Sequence, residues 1–135
     1  MMKQKKLKVG FDFDGVLYYN PARIVRLPIK LLKEHFLPKR QLKFWKPQTA
    51  WQKELWLLAH KTSLFPAAGY KHLLQLLEEK QFHGYIITGR YGYLKPEFEQ
   101  RLNKCDPHNL FQGYYLNEKS MQPHKFKEQT IKKLE

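Results

Sequence analysis

Apolar residues alternate with polar ones at Leu7, Val9, Phe11 and Phe13, a period of two that predicts a β-strand. The strand delivers Asp12 and Asp14 where it runs out into Gly15. Residues 16–20 then read as a short flap, and Pro21 is placed to open a helix. Ile24, Val25, Leu27, Leu31, Leu32 and Phe36 keep helical spacing, with Pro28 expected to kink or split the segment. A basic, aromatic stretch follows over 39–47, and a second amphipathic helix is predicted over 48–61 from Trp51, Leu55, Trp56 and Leu58.

The second half alternates more regularly. Pro66-Ala67-Ala68-Gly69 marks a turn, and Leu73, Leu74, Leu76 and Leu77 give a helix over 70–80. Residues 82–87 form a short apolar strand that ends in Thr88-Gly89-Arg90. A helix is expected around 96–104, a third strand over 113–116 and a closing helix over 124–135. Strands that alternate with helices imply parallel pairing, so the fold class is α/β.

Composition narrows the class further. In 135 residues, 42% hydrophobic and 15% aromatic content argues against disorder and suits one domain with a small inserted module. No uninterrupted apolar run supports a transmembrane helix, and the basic N-terminus does not lead into a signal-peptide core; the expected location is cytoplasmic. Cys105 is alone, so it has no disulfide partner within the chain and reads as an inert structural thiol. The net charge of +13 favours phosphorylated ligands and leaves a nucleic-acid partner open.

Period-two geometry puts Asp12 and Asp14 on the same side of the strand, where they repel unless a cation or a shared proton lies between them. Mg²⁺ is the natural partner, although Asp and Gly are also ordinary turn residues. Thr88, Gly89 and Arg90 stand at the end of the second strand, the edge at which open parallel sheets bind ligands. A hydroxyl, a glycine and a cation there suit a phosphate; Arg90 either clamps substrate or pairs with a structural acid.

These residues resemble the haloacid dehalogenase (HAD) superfamily of hydrolases, in particular its nucleotidase-like phosphatases. Val9-Gly10-Phe11-Asp12-Phe13-Asp14-Gly15-Val16-Leu17 is similar to motif I, and Ile86-Ile87-Thr88-Gly89-Arg90 to motif II. Phe126-Lys127 with Ile131 and Leu134 is similar to motif III, with Lys125 as the reserve for its lysine. The resemblance implies a Rossmann-like core of parallel sheet and flanking helices over 1–17 and 67–135, with a small helical C1-type cap over 18–66. It implies Asp12 as nucleophile, Asp14 as general acid and base with a raised pKa, and Thr88, Gly89, Arg90 and Lys127 as the phosphate-binding set. Asp12 and, through its main-chain carbonyl, Asp14 would hold Mg²⁺, with water and the substrate phosphate. The substrate would be a small phosphomonoester, a nucleotide stacked on cap aromatics being one candidate, cleaved through an aspartyl-phosphate.

The resemblance breaks after motif III. The superfamily's fourth motif, a further strand ending in acids that completes the Mg²⁺ site, has no counterpart after Lys127. The expectation is a chain truncated before that strand. The alternative is a catalytically impaired HAD-like module that binds nucleic acid or another polyanion through its basic surface.

Overall fold

A computed structural model describes residues 6–21, 31 and 46–135. The helix expected over 21–36 and most of the basic stretch over 39–47 lie outside the described residues.

The centre is a parallel sheet in the order β1-β4-β5, formed by Lys8–Phe11, His83–Tyr91 and Gly113–Asn117. β1 runs in register with β4 from Lys8↔His83 to Phe11↔Ile86, and β4 with β5 from Tyr85↔Gly113 to Thr88↔Leu116. The fold is therefore α/β, as the alternating pattern predicts. Helices α1 (Ala50–Lys61), α2 (Tyr70–Glu78), α3 (Lys95–Cys105) and α4 (Pro123–Leu134) surround it. Gly84 of β4 lies against α2, where a Cβ would come within 2.6 Å of Leu77 Cδ2; Gly89 lies against α4, 3.4 Å from Pro123 Cβ by the same construction. These opposite parities place α2 and α4 on opposite faces of the sheet. The core gathers Phe13, Leu17, Leu77, Ile86, Phe98, Phe111 and Leu116.

Three features depart from the sequence pattern. β1 stops at Phe11 rather than running to Phe13, because the chain turns there: the N–H groups of Leu17 and Tyr18 donate to Phe13 O at 3.2 and 2.9 Å. Gly15 takes φ 88° in that turn, a conformation an L side chain resists. β4 runs past Ile87 to Tyr91, since pairing resumes at Tyr91↔Asn117 after an irregularity beyond Thr88. Residues 18–19, expected as part of a flap, form the ribbon strand β2 (Tyr18–Tyr19), antiparallel to β3 (Phe65–Pro66). That ribbon joins the two ends of the 18–66 segment.

Local chemistry fixes the connections that place α4. Asn117, fully buried, accepts from Met121 N at 2.8 Å and donates to Met121 O at 2.6 Å. Pro123 then supplies the fixed φ of the first turn, and Lys8 donates to the last-turn carbonyl of Leu134 at 2.5 Å, a cation at the negative end of the helix. Ile131, whose spacing from Phe126 and Leu134 is that of a core-facing residue, is 49% exposed; Thr130 is the residue of α4 that is buried. Among the described residues no helix is long and apolar enough to cross a membrane.

Candidate active site

The turn after β1, the end of β4 and the first half of α4 meet at the carboxyl edge of the sheet. Asp12, one residue beyond β1, accepts an ion-paired hydrogen bond from Lys127 of α4, 115 positions away. Both side chains keep part of their surface in solvent, at 23% and 33%. Of the two lysines that the sequence offers, Lys127 is the one paired with Asp12. Lys125 is exposed.

Asp14 goes elsewhere. Because β1 ends early, the two carboxylates do not stand side by side on one strand face, and each finds its own cation. Asp14 is buried and accepts from Arg90 Nε at 2.9 Å and Nη2 at 2.8 Å, a bidentate fork, and from Ser63 Oγ at 2.8 Å. Arg90 is 2% exposed. Its guanidinium lies 4.9 Å from the Phe13 ring centre and 5.7 Å from that of Phe98, and its Nη1 donates to Glu97 Oε2 at 2.8 Å. Of the two roles open to Arg90, the structure shows the pairing with acids. As placed it does not reach out to clamp a phosphate, because its guanidinium is held inward against Phe13 and Phe98 by its pairs with Asp14 and Glu97.

Burial by itself would raise the Asp14 pKa. The Arg90 hydrogen bonds and charge, with the Ser63 hydrogen bond, outweigh it and hold the carboxyl below its ordinary 3.8. The raised pKa expected for a general acid is therefore not found in this state of the molecule. The reason is Arg90.

Thr88 is 1% exposed, and its hydroxyl accepts from Arg90 N at 3.3 Å. Gly89 keeps the backbone close to the first turn of α4. Both follow Ile87 at the same sheet edge as Asp12.

Three residues of this network escape the sequence pattern. Ser63 ends the segment that follows α1, Glu97 and Arg101 lie on α3, and together they close a ring: Asp14 to Arg90 to Glu97 to Arg101 to the Ser63 carbonyl, and from Ser63 Oγ back to Asp14. Glu97 and Arg101 at i and i+4 on a helix give a visible signal for their own pair. Nothing local in the sequence points Ser63 at Asp14.

The donor set suits a hard divalent cation only in part. Asp12 offers a part-exposed carboxylate, whereas both oxygens of Asp14 already accept hydrogen bonds from Arg90 or Ser63. The side-chain oxygens of Asp14 are thus taken up by Arg90 and Ser63, and the group that the resemblance brings from Asp14 to Mg²⁺ is its main-chain carbonyl. Among the described residues no group of three or more His, Cys, Asp or Glu residues could hold a metal ion.

Neither a protein-family model nor a curated protein matches the chain. Among solved structures, a haloacid dehalogenase-like family hydrolase from Xanthomonas campestris is similar over 97% of this chain and 70% of that one, with a TM-score of 0.49 and 13% identity.

Proposed function

We propose that the chain is a phosphohydrolase of the HAD type that cleaves a small phosphomonoester with Asp12 as nucleophile. The observation that carries this reading is the pair between Asp12 and Lys127, a carboxylate and an ammonium assembled from opposite ends of the chain at the carboxyl edge of a parallel sheet. The motif resemblance supports the same roles.

In the first step an Asp12 oxygen bonds to phosphorus as the ester bond breaks, giving an aspartyl-phosphate, and the leaving oxygen takes a proton from Asp14. In the second, water attacks that phosphorus, Asp14 takes the water's proton, and Asp12 is released with inorganic phosphate. Asp14 begins ionised because of Arg90, so it must first take up a proton, from water or from the monoanionic form of the substrate, as the bound phosphate's like charge raises its proton affinity; that proton then goes to the leaving oxygen. Lys127 offsets the charge that develops on the phosphoryl oxygens. Mg²⁺, held by Asp12 together with substrate oxygens, would supply further neutralisation.

The test is phosphate release from nucleotides, sugar phosphates and p-nitrophenyl phosphate, with and without Mg²⁺, by the full chain and by Asp12→Asn. The expected result is Mg²⁺-dependent turnover that Asp12→Asn reduces by at least about a thousandfold. No turnover, together with salt-dependent binding of an oligonucleotide, would replace this reading with the polyanion-binding module.

A further inference from the structure

A cleft of about 610 Å³ opens between the N-terminal end of α1 and the turns that follow β4 and β5. It is within the size range of small-molecule sites, and it lies at the carboxyl edge of the sheet that also carries Asp12. Its lining combines Lys46, Gln48 and Lys53 from one side with Tyr93, Glu118 and Ser120 from the other. The chemistry is specific in two respects.

The first is a braced aromatic surface. Tyr93 is 38% exposed, and its ring is backed by the buried Tyr91, the two centres 6.0 Å apart and 25° from parallel. Tyr91 is in turn 6.3 Å from Trp56 of α1, so the ladder ties the turn after β4 to the inserted helix. A ring held in this way is positioned at little entropic cost, stacked on Tyr91 and with the Lys53 ammonium over it as the group a flat ligand would displace.

The second is charge. Lys53 Nζ lies 5.7 Å from the Tyr93 ring centre, and Lys46 lines the same cleft, while the carboxylate of Glu118 is 3.9 Å from Lys95 Nζ. One ammonium group over the ring and a second lysine in the same lining favour a ligand that is flat and anionic in adjoining parts, its anion drawing Lys53 off the ring face. A sugar phosphate offers no flat face, and an uncharged aromatic alcohol leaves the lysines without a partner.

We propose that this cleft takes the leaving group of the phosphomonoester, and that the leaving group is a nucleoside carrying a second phosphate, with the base against Tyr93 and the second phosphate between Lys46 and Lys53. The inference rests on the Asp12 phosphohydrolase reading. A nucleoside bisphosphate and the terminal phosphate of a short oligonucleotide share this chemistry.

The experiment compares ribose 5-phosphate, a nucleoside 5′-monophosphate, a nucleoside 3′,5′-bisphosphate and a 5′-phosphorylated tetranucleotide, using the full chain and its Tyr93→Ala, Tyr93→Phe and Lys53→Gln variants. kcat/KM should rise from ribose phosphate to monophosphate to a substrate with the second phosphate. The larger of the last two values identifies which source the cleft accepts. Tyr93→Ala should raise KM for nucleotides at least about tenfold more than for ribose 5-phosphate, and Tyr93→Phe should retain most of the preference. Lys53→Gln should remove the advantage of the second phosphate.

Equal losses on all four substrates, or no preference for base or second phosphate, would overturn the proposal. If no phosphomonoester is hydrolysed at all, the phosphohydrolase reading fails, and calorimetric binding of the bisphosphate then decides the cleft by itself. Binding weakened by Tyr93→Ala and Lys53→Gln would support the cleft; absence of binding, or binding that neither variant changes, would overturn it.

Discussion

Replacing Arg90 by Met keeps a long side chain between Phe13 and Phe98 but removes the charge, leaving Asp14 buried with Ser63 as its remaining hydrogen-bond donor. Three close hydrogen bonds disappear, two to Asp14 and one to Glu97, each of 2.8 or 2.9 Å. Breaking one side of a buried pair costs about 3–5 kcal/mol, because the other charge stays uncompensated. Against a total stability of roughly 5–15 kcal/mol, that lowers the thermal midpoint by about 10–20 °C. The pH dependence identifies the cause. In the unaltered protein the Asp14 pKa is lowered, so its contribution is present at neutral pH and is lost as pH falls below 3.8 and through the folded value. In Arg90→Met burial is the largest influence left, opposed by the Ser63 hydrogen bond and the His60 charge, so the carboxyl moves upward; the penalty is then fullest at neutral pH and eases as pH falls. Urea unfolding at pH 7 and pH 4 should therefore show the gap between the two proteins narrowing at the lower pH. A gap below about 1 kcal/mol at pH 7, typical of a surface pair, or one equal at both pH values, would refute the reasoning.

Other perturbations separate chemistry from stability. Lys127→Gln should lower kcat by about a hundredfold or more while changing the unfolding free energy by less than about 1 kcal/mol, since its pair with Asp12 is partly solvated; a loss of stability with kcat intact would contradict its assigned role. Gly15→Ala forces an L side chain into φ 88° and should cost about 1–2 kcal/mol in denaturant unfolding. Cys105 is buried, and burial pushes its thiol above the ordinary 9.0, so iodoacetamide at pH 8 should leave it unmodified until the protein is unfolded.

The sheet was legible because β4 and β5 are apolar runs set between clear helical repeats, and the period-two pattern of β1 marks its face even though the strand is shorter than predicted. The pairing of Asp12 with Lys127 rather than Lys125 was half legible. Spacing offers both lysines, and only the placement of α4, fixed by Asn117, Pro123 and Lys8, selects between them. The fate of Asp14 was not legible. It depends on where β1 stops and on the pairing of Arg90 with both Asp14 and Glu97 of α3, tertiary outcomes that a two-residue period cannot express. Ile131 shows the same limit. It keeps the helical spacing of a core residue, yet α4 buries Thr130 and leaves Ile131 in solvent.

The measurement that bears most directly on the central claim is a covalent trap. The full chain is mixed with a ³²P-labelled phosphomonoester and Mg²⁺, quenched in acid within milliseconds, digested with pepsin and mapped by mass spectrometry. The account predicts an acyl phosphate, acid-stable and hydroxylamine-labile, on the peptide that contains Asp12, and none in Asp12→Asn. Turnover without any phosphoenzyme, or label on another residue while Asp12→Asn remains active, would contradict it.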